Sequence, residues 1–294
     1  MKKVMLSIAF ICFCVISYAQ DNATSPKEGW KTGGNVSFLF NQSSFSNWTT
    51  GGENNISATL GINYDFNYSK ENVTWDNKII ASYGLTKTAN SEFEKKTDDR
   101  FEFNSLYGKK ASGNWYYSAF LNLKTQFSKG YKYSKDSFGK EIRDEYTNLL
   151  SPGYLTFGPG MLWKKSDNLK FNLAPLTSKI TFIDKKLRTI NGIMDDKYFG
   201  VDPGKSIRYE LGFNASGYYK LNLMENVSME NILSLYTNYL EEAKNVDLDY
   251  TMNLVMTINK YLSANLTFQT VYDDNAHRGF QTREVFGIGV NYGF

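Results

Sequence analysis

Charged residues of both signs recur two positions apart in otherwise apolar stretches of this sequence. If the stretches are β-strands, residues two apart share a face, so these charges would line one enclosed surface. Charges enclosed there either pair with one another as an electrostatic plug or form a constriction that selects a solute, and the sequence leaves both open. Near one end of their stretches lie Arg100, Glu102, Lys124, Arg208, Glu210, Asp247 and Asp249, and deeper lie Asp65, Asp76, Lys78, Lys170, Lys220 and Glu230.

Catalysis has little support in the sequence. His277 is the single histidine, and Asp273 or Asp274 could orient it, but the surrounding segment 273–278 has no serine to act as nucleophile. Three carboxylates, at Asp195, Asp196 and Asp202, could hold calcium, but their spacing matches no calcium-binding loop. We therefore predict that the protein is not an enzyme, with no catalytic residue, no metal site and no cofactor.

The elements that must position the charges are strands. Residues 56–69 alternate without exception between apolar or aromatic and small or polar side chains. That pattern predicts a strand with one apolar and one hydrated face, and it exceeds the roughly 9–11 residues that a tilted strand needs to cross a bilayer. No stretch after the N-terminal segment approaches the about 18 consecutive apolar residues of a spanning helix. The sequence thus predicts an all-β transmembrane antiparallel β-barrel.

Twelve strands are predicted by the recurrence of this pattern. They are 36–40, 56–68, 73–85, 101–107, 115–127, 155–163, 169–182, 207–215, 227–235, 248–258, 262–272 and 286–294. The predicted links alternate strictly between short and long, and the long ones are 43–54, 87–99, 128–152, 184–205, 241–246 and 273–283. Such alternation is typical of barrels with short periplasmic turns and long external loops.

Two prolines interrupt this regularity. Pro159 and Pro175 fall on the lipid-facing register of neighbouring predicted strands, where each lacks the amide proton that a barrel wall needs. Beyond Pro175 the apolar parity moves to Ile180 and Phe182, which predicts a β-bulge. We favour a bend whose crowding Gly158 and Gly160 relieve. The alternative is a weak place in the wall through which an apolar ligand leaves sideways into lipid.

The N-terminus predicts secretion. Lys2 and Lys3 precede an apolar stretch, 4–16, and a small-residue region that ends near Gln20. We predict a signal peptide over residues 1–20, a short periplasmic segment over 21–30 and a single barrel domain over 31–294. Both cysteines lie within the signal peptide, so the mature chain would hold no disulfide. The formal charge of +3 falls to about +1 without the signal peptide, which argues against nucleic-acid binding.

The aromatic content supports the same architecture. The chain holds 21 tyrosines and 21 phenylalanines, although its mean hydropathy is negative. A barrel reconciles the two, since aromatic girdles face the lipid and polar residues face the lumen. The chain also ends on Phe294 in an aromatic strand, which resembles the terminal strand recognised during outer-membrane insertion. We therefore expect two partners, outer-membrane lipid and the barrel assembly machinery.

Several short segments resemble an uncharacterised outer-membrane β-barrel family, a domain of unknown function common in Bacteroidetes. These segments are GWKTGG at 29–34, NQSSFSNW at 41–48, GGEN at 51–54, GYLTFGPG at 153–160 and LAPLT at 173–177. The resemblance implies a barrel in the outer membrane of a Gram-negative bacterium. It implies no substrate and no catalytic residue.

Together these observations lead us to expect a narrow channel or small-solute binding barrel of unknown substrate. The nearly cancelling lumen charges predict weak ion selectivity. The alternative is a non-conducting structural or interaction barrel that acts through its external loops, chiefly 128–152 and 184–205. A surface hydrolase that uses His277 is the least favoured reading.

Overall fold

In a computed structural model of the chain, the described residues are 28–46, 52–273, 275 and 277–293, with only the backbone described at residues 277 and 278. The predicted signal peptide and Phe294 lie outside the described residues, as does most of the predicted periplasmic segment. The first strand begins at Gly29, two residues before the predicted start of the barrel domain. Among the described residues, no helix has the length and apolar character needed to cross a membrane.

Twelve antiparallel strands close into a barrel, which confirms the predicted fold and strand count within the described residues. Among the described residues, a two-stranded hairpin, β6 (Gly130–Lys135) and β7 (Glu141–Thr147), and a short helix, α1 (Lys185–Ile190), lie outside the ring. The elements are β1 (Gly29–Ser43), β2 (Asn55–Lys70), β3 (Val73–Thr88), β4 (Lys95–Ser112), β5 (Trp115–Thr125), β6 (Gly130–Lys135), β7 (Glu141–Thr147), β8 (Gly153–Ser166), β9 (Leu169–Phe182), α1 (Lys185–Ile190), β10 (Ile207–Met224), β11 (Val227–Asn238), β12 (Asp247–Thr257), β13 (Leu262–Asp273) and β14 (His277–Gly293).

Each barrel strand pairs with its neighbour in the chain, except that β5 pairs with β8 around the inserted hairpin and β14 closes the ring on β1. Closure joins Asn35 to Gly293 and Leu39 to Gly289. A side chain at position 289 would collide with the carbonyl oxygen of Phe38, so glycine is what lets these two strands approach. Closing the sheet removes its two free edges. In lipid, the backbone amide and carbonyl groups of such edges would have no hydrogen-bond partner.

The barrel is polar on the inside and apolar on the outside, which is the reverse of a soluble protein. Carboxylates and amides such as Asp76, Glu102 and Asn214 are buried on the inside. Large apolar side chains are exposed on the outside, and they include Phe38, Phe40, Ile56, Leu60, Ile62, Phe286, Ile288 and Val290. A continuous apolar outer surface of this kind is stable only in lipid. The protein is a membrane-spanning barrel.

An aromatic girdle borders this apolar surface at one end of the barrel. At the end with the short turns, the Trp30 ring lies 5.3 Å from Tyr68 and 5.8 Å from Trp75. On the other side of the barrel, the Trp163 and Phe171 rings stack at 5.2 Å. Indole and phenol rings favour the boundary between lipid and water, so these clusters mark one membrane interface.

Four predicted links differ from the structure. β4 already begins at Lys95, and β14 at His277, so the last link is only residues 274–276 and the predicted strict alternation of link lengths is wrong there. The predicted loop 128–152 contains the β6–β7 hairpin, and 184–205 contains α1. Strand ends that extend beyond the lipid meet water on both faces. Their hydrogen-bond ladder continues, but the alternating pattern that reveals a strand disappears.

Candidate functional site

The lumen near the external mouth holds a network centred on Glu102. Arg100 Nη2 lies 2.5 Å from a Glu102 carboxylate oxygen. The amides of Asn104 and Asn122 each donate to the other Glu102 oxygen at 3.0 Å. Glu102 stands directly opposite Lys124 in the β4–β5 register, so strand parity alone places this cluster on one face. Glu102 is 3% exposed, and its neighbours supply the donors that a buried carboxylate requires.

Lys124 connects this network to the opposite wall. Its ammonium lies 2.5 Å from Asp249 on β12, which also accepts from Gln269 at 3.0 Å. β5 and β12 are five strands apart around the ring of twelve, so the ion pair crosses the lumen rather than following the wall. A second crossing at this level pairs Arg283 on β14 with Asp98 on β4.

A second external cluster surrounds Lys179 on β9. Its ammonium lies 2.8 Å from Asp247, 3.1 Å from Asp273 and 3.7 Å from Glu210. Arg208 lies 3.1 Å from Glu210 and 2.8 Å from Glu241 in the link above. The seven residues predicted near the mouth thus divide between this cluster and the one around Glu102.

A deeper set of ion pairs crosses the lumen near the short-turn end. Lys78 on β3 lies 2.9 Å from Glu230 on β11 and 3.4 Å from Asp65. β3 and β11 are six strands apart in either direction, so this pair joins diametrically opposite walls. Nearby, Lys164 and Lys170 lie 2.8 and 2.5 Å from Asp76. Lys220, which was predicted at this depth, lines the lumen cavity, and its side chain is exposed.

The Lys78–Glu230 contact also constrains the shape of the barrel. A circular barrel of twelve tilted strands spaced about 4.8 Å apart is roughly 20 Å across. One lysine and one glutamate side chain do not span that distance, yet these two meet at 2.9 Å. The cross-section is therefore flattened between β3 and β11. A cavity of about 1100 Å³ lies in the lumen, and the residues of both charged levels are among those that line it.

Sequence reasoning missed several members of these networks. Lys179, Asp98, Asp273, Arg283 and Lys164 all form lumen ion pairs. For Lys179 a signal existed, since the parity change after Pro175 turns odd positions inward. Asp98, Asp273 and Arg283 fall in segments predicted as links, where no inward face was assigned.

The two prolines lie opposite each other where the wall departs from regular pairing. From the short-turn end, β8 and β9 pair in one register as far as the pair Met161–Leu173. From the pair Phe157–Ser178 to the external end, they pair in a register that is shifted by one residue. The β9–β10 ladder shifts between the same β9 residues, so the extra residue belongs to β9.

Side chains satisfy part of the interrupted ladder. The Thr177 hydroxyl donates to the Ala174 carbonyl at 2.9 Å, and the Tyr239 hydroxyl donates to the Pro175 carbonyl at 3.1 Å. An added Cβ at Gly158 would lie 2.5 Å from the Leu176 carbonyl oxygen. The backbones of β8 and β9 therefore approach closely at this point, and the site resembles the bend of the favoured interpretation more than a lateral opening.

The link between β9 and β10 folds into a cap at the external end. Ile183, Leu187, Tyr198 and Val201 form its buried core, and Phe199 extends to the lumen cavity. Tyr146 of β7 packs against this core, and the Tyr198 hydroxyl donates to the Tyr146 carbonyl. Burial raises the pKa of the Tyr198 hydroxyl, so it stays neutral as a donor.

The residues considered for catalysis or metal binding form no site among the described side chains. His277 has no described side chain. Asp202 hydrogen-bonds to Lys205 at 3.0 Å, which lowers the pKa of its carboxyl, and this pair is exposed in the cap. Over the described residues, no group of three histidine, cysteine, aspartate or glutamate side chains could hold a metal ion.

Comparisons with known proteins show limited likeness to this chain. A family model described as "Protein of unknown function (DUF3078)" matches residues 40–131, from the end of β1 into β6. No curated protein matches the sequence. Among solved structures, the translocator domain of the autotransporter NalP from Neisseria meningitidis is 8% identical with a TM-score of 0.36, and the match covers 100% of this chain and 97% of that one.

Two outer membrane channels are similar in the same limited sense. One from Pseudomonas putida F1 is 9% identical with a TM-score of 0.38, and the match covers 94% of this chain and 99% of that one. The channel DcaP of Acinetobacter baumannii is 10% identical with a TM-score of 0.32, and the match covers 90% of this chain and 97% of that one. At such identities the likeness concerns the barrel fold alone.

Proposed function

We propose that the protein is a narrow, gated channel for a small solute in the outer membrane of a Gram-negative bacterium. The predicted signal peptide and the apolar outer surface of the closed barrel support that location. Closed barrels are the form in which β-strands span a bilayer. Outer-membrane lipid and, during insertion, the barrel assembly machinery are the partners that this proposal implies.

The observation that carries the proposal is that side-chain ion pairs cross a lumen that still holds a cavity. Lys124–Asp249 and Lys78–Glu230 cross the lumen at two levels, and residues of both levels line a cavity of about 1100 Å³. Rotamer changes of these side chains require no rearrangement of the backbone, so gates of this type open without unfolding the barrel. A purely structural barrel gains nothing from a hydrated cavity, since an apolar filling of the same volume is often at least as stable as buried ion pairs.

The lumen charges also bear on selectivity. At both levels the ammonium and guanidinium groups lie against carboxylates, so the local charges nearly cancel. We expect weak discrimination between anions and cations, because a strong preference requires a ring of one sign.

Planar-bilayer recording tests the proposal. We expect the purified protein to show small, intermittent conductance steps. The double variant Lys124→Met/Asp249→Asn, which removes the external crossing, is expected to show larger and longer openings. Lys205→Met is the matched control, since Lys205 is 65% exposed in the cap and is not among the residues that line the lumen cavity. Silent bilayers for both the parent protein and the double variant would overturn the channel.

That negative result would favour a non-conducting interaction barrel. The observation behind this second candidate is the folded external cap, whose core of Leu187, Tyr198 and Val201 is more than a covering loop needs. A surface hydrolase has less support, because the segment 273–278 around His277 contains no serine to act as nucleophile.

A further inference from the structure

Two neighbouring leucines are exposed in the turn between β7 and β8, at the external end of the barrel. Leu149 is 58% exposed and Leu150 is 46% exposed. Leu150 also has a φ of 58°, in the left-handed region that glycine and asparagine adopt far more readily than leucine. A backbone held in this region to display an apolar side chain indicates a function for that side chain.

Hydrogen bonds hold the leucine turn, residues 148–151, in this shape. Asn148 and Ser151 exchange two backbone hydrogen bonds of 2.9 Å. Gln126 Nε2 donates to the carbonyls of the same two residues at 2.8 and 3.0 Å. The Leu150 amide donates to Thr125 Oγ1 at 2.9 Å. Because these bonds fix the backbone, the two leucine side chains project from a rigid frame.

The leucine turn borders a groove of about 680 Å³ on the outer face of the barrel. Phe127, which follows β5, and Phe182 and Ile183 at the end of β9 also line this groove. The Phe127 ring lies 5.6 Å from that of Phe101, which is next to the lumen-facing Glu102 on β4 and therefore points outward. The groove thus lies on the side of the barrel that faces lipid, at its external rim.

Lysines lie at the rim of this groove. Lys129 lines the groove, is 61% exposed and bonds to Glu145 at 2.6 Å. Lys185 and Lys186 begin α1 directly after Asp184, which also lines the groove. Both are exposed, and neither forms an ion pair within the described part of the chain. Three ammonium groups against the carboxylates of Asp184 and Glu145 leave this rim positively charged.

We propose that this groove binds a phosphorylated membrane lipid of the external leaflet. An acyl chain packs on the leucine turn and Phe127, and the phosphate accepts hydrogen bonds from Lys129, Lys185 and Lys186. Neither feature alone identifies the occupant, because an uncharged lipid leaves the lysines without a partner and a soluble phosphate leaves the leucines in water. The inference goes beyond the proposed channel, because it requires a barrel in a membrane but no conduction.

Native mass spectrometry of the detergent-refolded protein tests the proposal. The probes are dioleoylphosphatidic acid, dioleoylglycerol as the same lipid without its phosphate, and inorganic phosphate. We expect saturable binding of one phosphatidic acid, at least tenfold tighter than that of dioleoylglycerol, and no binding of inorganic phosphate at the same concentration. Equal binding of the two lipids would reduce the groove to ordinary membrane contact and overturn the proposal. No saturable binding of phosphatidic acid, or equal binding of inorganic phosphate, would also overturn it.

The double variant Leu149→Ser/Leu150→Asn tests the apolar half of the site. Asparagine tolerates the left-handed backbone, so the turn keeps its shape. We expect at least tenfold weaker binding of phosphatidic acid, because the acyl chain loses its contacts. Phe138→Ser is the matched control, since Phe138 is 94% exposed between β6 and β7 and does not line the groove. Unchanged binding in the double variant would contradict the placement.

The triple variant Lys129→Gln/Lys185→Gln/Lys186→Gln tests the phosphate half. We expect the preference for phosphatidic acid over dioleoylglycerol to fall below threefold. The control removes the same charge from exposed lysines at the short-turn end, in Lys70→Gln/Lys109→Gln/Lys110→Gln, and should keep the preference. The same loss in both triple variants would mean attraction by the overall charge and would overturn the site. A difference in gel mobility between unheated and boiled samples confirms that each variant is folded.

Discussion

At the residue scale, the defining interactions are single ion pairs that join distant strands across the lumen. Lys78 is the clearest case. Its side chain is 12% exposed and bonds to Asp65 on the adjacent strand and to Glu230 on the opposite wall. Glu230 also accepts from Tyr218 and Asn253. An ion pair this enclosed contributes little net stability as a unit, but removing one partner leaves the other charge buried and uncompensated.

Lys78→Met is accordingly expected to destabilise the folded barrel by about 3–5 kcal/mol. The double variant Lys78→Met/Glu230→Gln should recover most of that loss, because no unpaired charge remains. Urea unfolding of the detergent-refolded proteins, followed by tryptophan fluorescence, measures both. Lys31→Met serves as the exposed control and should change the free energy of unfolding by less than about 1 kcal/mol. If Lys78→Met is as stable as the parent protein, then water, and not Lys78, stabilises the charge of Glu230.

At the scale of elements, the bulge in β9 explains how two prolines fit a barrel wall. Pro175 and Leu176 are both exposed to the outside, so the strand changes which parity faces the lumen at this point. Ala174 before the bulge is buried inside, and so is Thr177 after it. Opposite the bulge, Gly158 allows β8 to approach to a distance that any larger residue would prevent.

Gly158→Ala is expected to destabilise the barrel by about 1–3 kcal/mol, because the new methyl group meets backbone atoms that cannot rotate away. Gly217→Ala on β10 is the matched substitution, since nothing lies within 4 Å of a Cβ at that position. It should be neutral or stabilising by up to about 1 kcal/mol. Unfolding midpoints in guanidinium compare the two. If Gly158→Ala and Gly217→Ala have the same unfolding midpoint, β8 and β9 do not approach closely in the folded protein.

At the scale of the whole molecule, one continuous ladder of hydrogen bonds holds twelve strands in a closed ring. Because separating any one strand pair would expose two unpaired strand edges in the membrane, we expect the barrel to resist detergent in the cold and to unfold cooperatively on heating. The external cap has its own small core, so it can loosen while the ring remains closed.

Heat-dependent gel mobility should therefore distinguish the folded state. The unheated protein in dodecyl sulfate is expected to migrate differently from the boiled protein, and Leu187→Ala in the cap should leave that difference intact. The same gel after limited proteolysis should show faster cleavage within 184–205 for Leu187→Ala, since the cavity it creates weakens the cap core by about 2–4 kcal/mol. Identical mobility before and after boiling would contradict the closed barrel.

Much of the architecture could be read from residue patterns alone. Within the membrane, lipid on one side and water on the other impose a strict alternation on each strand, and the segment 56–69 shows it without interruption. The same alternation predicted the ring of twelve and the lumen-facing position of Arg100, Glu102 and Lys124. It stops where water bathes both faces, so the strand extensions at Lys95 and His277 were read as loops.

What the tertiary structure alone decided is which inward charges meet. Lys78 and Glu230 are 152 positions apart in the chain, and they touch because the closed ring is flattened between β3 and β11. Odd or even position along a strand tells which face of the barrel a side chain occupies. Which charge it meets across the lumen depends on the shape of the cross-section, and every strand of the ring contributes to that shape. The cap core has the same origin, because it arises from contacts between strands and links that no local pattern encodes.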